Sequence, residues 1–122
     1  MKKTDKKIDK QICRALTNAC ETAKVEVLGF QWLTHLVNYN QFPESLSVIC
    51  IFDTKSELEQ AYQSGNDQLM FSLIKSEFEQ INIRFKALRH HVSFDTEEAC
   101  ETEHNGNWQQ RLNRRKKQIG GN

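Results

Sequence analysis

Residues 30–53, FQWLTHLVNYNQFPESLSVICIFD, contain the pattern that decides the fold. Within this stretch, residues 45–52 place apolar side chains on both faces of an extended chain, which is typical of a strand in the middle of a covered sheet. Residues 32–39 are rich in β-branched and aromatic side chains but include several polar ones, which indicates a less buried partner strand. The loop at residues 40–44 joins the two strands as a hairpin.

The segments on either side of the hairpin predict helices and at least one further strand. Residues 3–24 repeat apolar side chains at spacings of three and four, which predicts an amphipathic helix. After the hairpin, Thr54 and Glu57 form a capping box that opens a short helix, and Gly65 separates it from a longer one. The apolar period then changes to two at residues 81–87, which predicts a third strand.

The last third of the chain predicts a return to helices. Residues 88–94 either continue the third strand or form a fourth. Helices follow at residues 96–104 and 108–117. The predicted fold is therefore α+β, with an antiparallel sheet of three or four strands covered by helices in the order α-β-β-α-α-β(-β)-α-α.

Length and composition indicate one compact domain at residues 1–107, followed by a basic helix or tail at 108–122. A chain of 122 residues is long enough for one hydrophobic core. It has no run of about 18 apolar residues and no apolar signal-peptide core, so we expect a soluble, cytoplasmic protein. Its four cysteines form no Cys-x-x-Cys pair, and their positions are typical of small apolar residues.

The net charge of +1 conceals a strong asymmetry along the chain. Residues 1–10 carry +3, residues 108–122 carry +5, and the residues between them carry −7. Basic ends on an acidic body favour a non-enzymatic interaction or regulatory protein that contacts an acidic partner. We also expect a homodimer in which the acidic helix of one copy pairs with the basic helix of the other. The aromatic residues near loops are the predicted interface: Trp32, Phe42 and Trp108.

The two C-terminal segments also allow a nucleic-acid interpretation. In a helix-turn-helix the second helix enters the major groove, and its cations neutralise phosphates. The candidates here are Arg111, Arg114, Arg115, Lys116 and Lys117. However, the first helix of the pair is acidic and would repel the backbone that it should cross. The alternative is that the basic segment is a solvated tail, or that it folds onto its own acidic helix with Trp108 and Leu112 as anchors.

A family resemblance bears on this choice. The blocks FQWLTHLVNYNQFPESLSVICIFDT (30–54) and HHVSFDTEEACETEHNGNW (90–108) resemble a family of small uncharacterised bacterial proteins labelled as Fis-type transcriptional regulators. The end of the chain, RLNRRKKQIGGN, resembles the end of the recognition helix of the DNA-bending factor for inversion stimulation. The resemblance implies that the five cations of residues 111–117 contact DNA phosphates. That factor is all-helical, and the strand-rich centre of this chain departs from it.

Two enzymatic interpretations have weaker support. Cys100 and His104 lie four apart on a predicted helix and, with His91, could hold zinc, although their spacing matches no strong zinc motif. Glu44 and Asp53 have the order of a metal-dependent nuclease, but a whole strand separates them. The chain contains no glycine-rich phosphate loop or nucleophile motif, so a metal-dependent enzyme is the third hypothesis and no cofactor is predicted.

Overall fold

The structure, a computed structural model, describes residues 2–119, with side chains described as far as residue 116. It contains five helices and three strands among these residues. The helices are α1 (Lys3–Glu26), α2 (Lys55–Ser64), α3 (Asn66–Gln80), α4 (Glu97–His104) and α5 (Trp108–Ile119). The strands are β1 (Phe30–Leu36), β2 (Ser47–Phe52) and β3 (Val92–Thr96). The predicted α+β class and element order are confirmed, with a single strand after α3.

Strand β2 is the centre of the sheet, as its two apolar faces predict. The strand order is β1-β2-β3, and all five residues from Val48 to Phe52 are fully buried. Val48, Cys50 and Phe52 belong to the main hydrophobic core, whereas Ile49 and Ile51 point to the opposite face. A strand that is apolar on both sides therefore has a helical layer on each side.

The prediction of a wholly antiparallel sheet is wrong for one strand pair. β1 pairs with β2 antiparallel, as expected for a hairpin, but β2 pairs with β3 parallel. The reason is the connection between them, because α2 and α3 carry the chain back to the end where β2 began. β2 and β3 therefore end at the same edge of the sheet, and a helix begins there after each strand.

The helices form two layers around the sheet. The core face packs against α1, α2 and α3 through buried residues such as Leu16, Ala61 and Ile74. On the other face, α5 contacts the side chains of Trp32, Ser93 and Asp95. In the described part of the chain, no helix combines the length and the apolar character needed to cross a membrane.

Residues 81–87, predicted as a strand, form an irregular segment instead. Asn82 has a φ of 60°, and the backbone amide of Ile83 donates to the carbonyl of Phe78 at the end of α3. Ile83 is buried and Phe85 packs on Phe78 with ring centroids 5.6 Å apart. The alternating pattern thus identified the buried side chains, but this segment packs beneath α3 instead of pairing with a strand. The next strand, β3, begins at Val92 after a 3-10 turn at Leu88–His90.

Candidate nucleic-acid interface

Helix α5 is attached to the sheet by the carboxylate of Glu97, which accepts a hydrogen bond from each tryptophan of the chain. Trp32 Nε1 donates to Glu97 Oε2 and Trp108 Nε1 donates to Glu97 Oε1, both over 2.7 Å. The two rings also meet edge to face, with centroids 5.0 Å apart. Both residues were predicted to lie at an interface with another molecule. The structure places them, half-buried, at an intramolecular junction.

The third predicted interface residue, Phe42, lies in the loop between β1 and β2. It is half-buried and packs on Tyr39 with ring centroids 5.6 Å apart. The role of these three aromatic residues in binding a partner stays a prediction.

Arg111 forms a bidentate polar contact between α5 and strand β3. Its Nε and Nη2 donate to the two carboxylate oxygens of Asp95 over 2.7 and 2.9 Å, and Nη1 donates to Glu103 over 2.9 Å. Burial of Asp95 on its own would raise the pKa of this carboxyl. The hydrogen bonds from Arg111 and from the amide of Thr96, together with the charges of Arg111 and Arg115, hold that pKa below its usual value.

The five predicted phosphate-binding cations therefore fall into different environments. Arg111 forms an ion pair with Asp95. Arg115 Nη1 donates to Ser93 over 2.9 Å, and its Nη2 lies 3.6 Å from Asp95. Arg114 and Lys116 are exposed. The side chain of Lys117 lies outside the described residues. The basic helix thus folds onto its own acidic segment, which is the alternative that the sequence left open.

The direction of α5 determines where its remaining cations lie. Trp108 contacts Glu97 just after β3, Arg111 contacts Asp95, and Arg115 contacts Ser93 near the start of β3. The helix therefore runs antiparallel to β3. Lys116 follows Arg115 and lies towards the end of the molecule where β2 and β3 begin.

The lysine-rich start of α1 lies at this same end. The hydroxyl of Tyr39, which follows β1, donates to Asp9 Oδ1 over 2.7 Å. Because Leu36 pairs with Ser47 at the start of β2, this contact places the first turns of α1 beside the edge where β2 begins. On α1, Lys3, Lys7, Lys10 and Arg14 are all exposed and recur at spacings of four, three and four, so they form one solvent-facing stripe.

The end of α3 and the segment after it add further exposed cations at this end of the molecule. Lys75, Arg84 and Lys86 surround a groove whose floor includes Phe78 and Phe85. An adjoining groove combines Lys75 with Arg89. A third groove lies between α1 and α3, where Lys7, Lys10 and Arg14 are next to the last residues of α3.

We call this end of the molecule the basic pole. Its exposed cations are Lys3, Lys6, Lys7, Lys10, Arg14, Lys75, Arg84, Lys86, Arg89 and Lys116. None of them forms an ion pair within the described residues. Five carboxylates lie at the same end: Asp5, Asp9, Glu44, Glu77 and Glu79. The basic pole therefore has a surplus of positive charge that the fold itself does not use.

The opposite end of the sheet, where β2 and β3 end, contains two helix N-termini and an acidic side chain. The N-termini of α2 and α4 lie side by side there, each capped by a threonine hydroxyl that accepts a backbone N–H: Thr54 from Glu57, and Thr96 from Ala99. Two adjacent helix N-termini would favour an anion. Glu98 already fills this position, because its carboxylate accepts the backbone N–H of Lys55 over 2.8 Å. We conclude that the chain's own acid occupies the place where a phosphate ligand would bind.

A cluster of metal-ligand side chains lies between α1 and β1, close to the basic pole. Ligand atoms of Asp9, Cys13 and His35 are all within 4.8 Å of one another. Burial, followed by the charge of Asp9, raises the pKa of the Cys13 thiol, and burial lowers the pKa of His35. A protonated thiol beside a neutral imidazole is not an activated nucleophile, so this trio does not have the electrostatics of a cysteine hydrolase.

The sequence pointed to a different metal trio, and the structure gives its members other contacts. His91 Nδ1 lies 2.7 Å from the carbonyl oxygen of Leu46. His104 Nδ1 lies 3.1 Å from Arg111 Nη1, and Cys100 is fully buried. Among the described side chains, Asp9, Cys13 and His35 form the one group of three or more with suitable spacing.

The nuclease arrangement is absent from the described residues. Glu44 precedes β2 and Asp53 follows it, so the strand separates the two acids, as their spacing in the sequence predicted.

Comparison with known proteins adds no relative. No protein-family model, curated protein or solved structure matches the chain. The resemblance to Fis-type regulators therefore stays a prediction.

The sequence predicted the cations at both ends of the chain but not the group at residues 75–89, since these cations are interspersed with apolar side chains in a predicted helix and a predicted strand. Asp9 and Cys13 stand four apart on a predicted helix, which is a signal for shared ligands. His35 could be added to them only after the packing of α1 on β1 was known.

Proposed function

We propose that this protein is a non-catalytic binding protein whose basic pole contacts the phosphate backbone of a nucleic acid. The observation that carries the proposal is the convergence of three separate segments on one end of the molecule. The start of α1, the segment around Arg84 and the end of α5 all contribute exposed cations that form no ion pair with the side chains that the structure describes. A fold would gain nothing from concentrating like charges in this way, whereas a polyanionic partner would.

The groove around Arg84 supports nucleic acid over other acidic partners. Its lining combines apolar and aromatic side chains with three cations, Lys75, Arg84 and Lys86, and a single acid, Glu79. Phe85 is half-buried and its ring lies against that of His91, with centroids 4.3 Å apart. Cations for phosphates beside an aromatic ring for stacking are the combination that single-stranded nucleic acids use. A base that stacks on the exposed part of Phe85 would bring its phosphates to the cationic rim.

A cytoplasmic location is part of the same proposal. All four cysteines are free thiols, which supports a reducing compartment. The bacterial regulator suggested by the resemblance is one biological setting in which such a protein would act.

The test measures binding of labelled single-stranded DNA, single-stranded RNA and duplex DNA to the full chain by anisotropy. Salt is varied between about 50 and 200 mM, a range over which 6–10 phosphate contacts lose roughly 10³–10⁵ in affinity. The variant replaces Lys7, Lys10 and Arg14 with glutamine. Because each phosphate contact contributes about 0.9 to the slope of log K against log[salt] for duplex DNA, we expect the slope to fall by about 2 to 3.

The matched control changes cations at the other end of the molecule. Lys24 and Lys55 are both exposed, and their substitution with glutamine also lowers the net charge. We expect this control to bind as the unmodified protein does. Equal losses in both variants, or no binding at the lowest salt, would reject the basic pole as the interface.

Deletion of residues 108–122 is a poor test of the same idea. It would remove Arg111 from the buried carboxylate of Asp95 and remove Trp108 from Glu97, so the sheet face would lose its cover. Substitution of Lys116, the exposed cation that α5 contributes to the basic pole, tests the contribution of this helix without this damage. We expect a smaller slope change of about 1, since one contact is removed.

Self-association is the second candidate function, and one observation favours it. Val25, in the last turn of α1, and Leu28, just after this helix, are 87% and 72% exposed. Large exposed apolar side chains in neighbouring positions are typical of a contact surface. The pairing of an acidic helix with a basic helix already occurs within one chain, through Arg111. A dimer would therefore use Val25 and Leu28, and light scattering after size exclusion should show a monomer once both are changed to serine.

A further inference from the structure

The cluster of Asp9, Cys13 and His35 has a geometry that suits a single metal ion. Asp9 and Cys13 are four residues apart on α1, so their side chains point the same way from successive turns. His35 lies on β1 and faces them, with Nε2 3.8 Å from Asp9 Oδ1. One ligand atom from each residue lies within 4.8 Å of the other two. Side chains from a helix and a strand thus converge on one point.

The distances between the three ligand atoms are slightly longer than those around a bound ion, so the side chains must move closer together when an ion binds. Zinc bonds of about 2.0–2.3 Å to oxygen, nitrogen and sulfur place tetrahedral ligand atoms about 3.4–3.6 Å apart. The observed spacing of at most 4.8 Å requires a contraction of about 1 Å. Side-chain rotation supplies this movement, because Cys13 is exposed and the other two are half-buried. The backbone of α1 is held in place by Ile12 and Leu16, which are buried in the core.

The ligand types select the ion. Magnesium and calcium require oxygen ligands, whereas thiolate and imidazole favour zinc among the common divalent ions. Three protein ligands leave a fourth position for water or another group. The hydroxyl of Tyr39 donates to Asp9 Oδ1 over 2.7 Å and so holds this carboxylate in its orientation, as outer partners of metal ligands do.

We propose that Asp9, Cys13 and His35 bind one zinc ion, with Tyr39 as the positioning residue for Asp9. Binding replaces the proton of the Cys13 thiol, which passes to solvent as the sulfur–zinc bond forms. The ion joins two successive turns near the start of α1 to the end of strand β1. It therefore fixes the lysine-bearing start of α1 relative to the sheet. The site does not depend on nucleic-acid binding and can be tested without it.

The experiment uses the untagged full chain, stripped of metal under reducing conditions and titrated with cobalt and then with zinc. Cobalt bound to a thiolate gives a charge-transfer band that reports the sulfur ligand directly. We expect one equivalent of cobalt to produce the band and zinc to abolish it by displacement. Calorimetry with zinc then gives the affinity of each variant.

Four variants locate the site. Cys13→Ser should remove the charge-transfer band, and Cys13→Ser and His35→Gln should each weaken zinc binding by at least about tenfold. Tyr39→Phe should keep the band but weaken zinc binding by about tenfold, since it removes only the partner of Asp9. Cys20→Ser is the matched control, because Cys20 lies seven residues along the same helix, and it should change neither readout. Far-UV circular dichroism verifies that each variant is folded.

Several results would overturn the proposal. A band that persists in Cys13→Ser, or that is lost in Cys20→Ser, would place the sulfur ligand elsewhere. A fifth variant, Cys100→Ser, should keep the band, and loss of the band in this variant would favour the trio of His91, Cys100 and His104. Absence of any band with stoichiometric cobalt would show that the cluster binds no metal.

Discussion

Replacing Arg111 with methionine should destabilise this protein far more than a surface substitution would. Methionine keeps much of the apolar stem but removes the two hydrogen bonds, over 2.7 and 2.9 Å, that Asp95 receives from the guanidinium. The side chain of Asp95 is only 6% exposed, so water cannot take their place. Removing one partner of a buried ion pair costs about 3–5 kcal/mol.

The expected cost lies at the lower end of that range. Asp95 keeps the hydrogen bond from the amide of Thr96 and has Arg115 Nη2 at 3.6 Å, so some compensation remains. The contact of Arg111 with Glu103 adds little, because the side chain of Glu103 is 54% exposed. We expect the free energy of unfolding to fall by about 3 kcal/mol, which moves the urea midpoint by roughly 1 to 3 M.

The pH dependence provides a second readout with a definite sign. The pKa of Asp95 is lowered in the folded protein, so its ionised form contributes stability above the unfolded pKa of about 3.9. That contribution is lost as the pH falls through the lower folded pKa. The difference between the unmodified protein and R111M should therefore be complete at pH 7 and shrink below about pH 4.

The assay is urea unfolding followed by far-UV circular dichroism, with two further variants. Arg114→Ala, an exposed neighbour on the same helix, should change stability by no more than about 0.5 kcal/mol. The double variant D95N/R111M should recover most of the loss, because it removes the unpaired charge as well. A loss below about 1 kcal/mol in R111M, or a double variant less stable than R111M, would refute the reasoning.

Further substitutions test local features of the fold. Gly29→Ala should be clearly more destabilising than Gly65→Ala, although both glycines have a φ of 84°. A Cβ at Gly29 would lie 2.7 Å from Glu57 Cβ, whereas a Cβ at Gly65 would have no atom within 4 Å. We expect about 1 kcal/mol for Gly65→Ala and more for Gly29→Ala in the same urea assay, and equal costs would contradict the packing argument. Thr54→Ala and Thr96→Ala should each cost about 1 kcal/mol through loss of a helix cap, whereas Thr54→Ser, at a half-buried position, should cost little.

The sequence predicted those parts of the fold that depend on local patterns. The two apolar faces of residues 48–52 identified the central strand, and the capping threonine at position 54 was recognised from its spacing to Glu57. The cap of α4 depends on a long-range contact instead. Thr96 is the cap, because the carboxylate of Asp95 is engaged by Arg111 from a helix sixteen residues further along the chain.

Features that depend on long-range packing could not be predicted in this way. Nothing local distinguishes a parallel β3 from an antiparallel one, since the outcome depends on the path of α2 and α3 between the strands. The same holds for the candidate sites. Lys7 and Lys86 are far apart in sequence, and only the fold brings them to one pole, just as only the fold brings His35 to Cys13.

Both tryptophans of the chain meet at Glu97, and this has a spectroscopic consequence. All indole emission, and the tryptophan contribution to the near-ultraviolet dichroism, therefore arise from one junction between α5 and the sheet. These signals report whether α5 is packed on the sheet, while far-UV dichroism reports the helix content of the whole protein. A red shift of the emission before the far-UV transition would reveal a population in which α5 has detached and the rest of the chain is still folded.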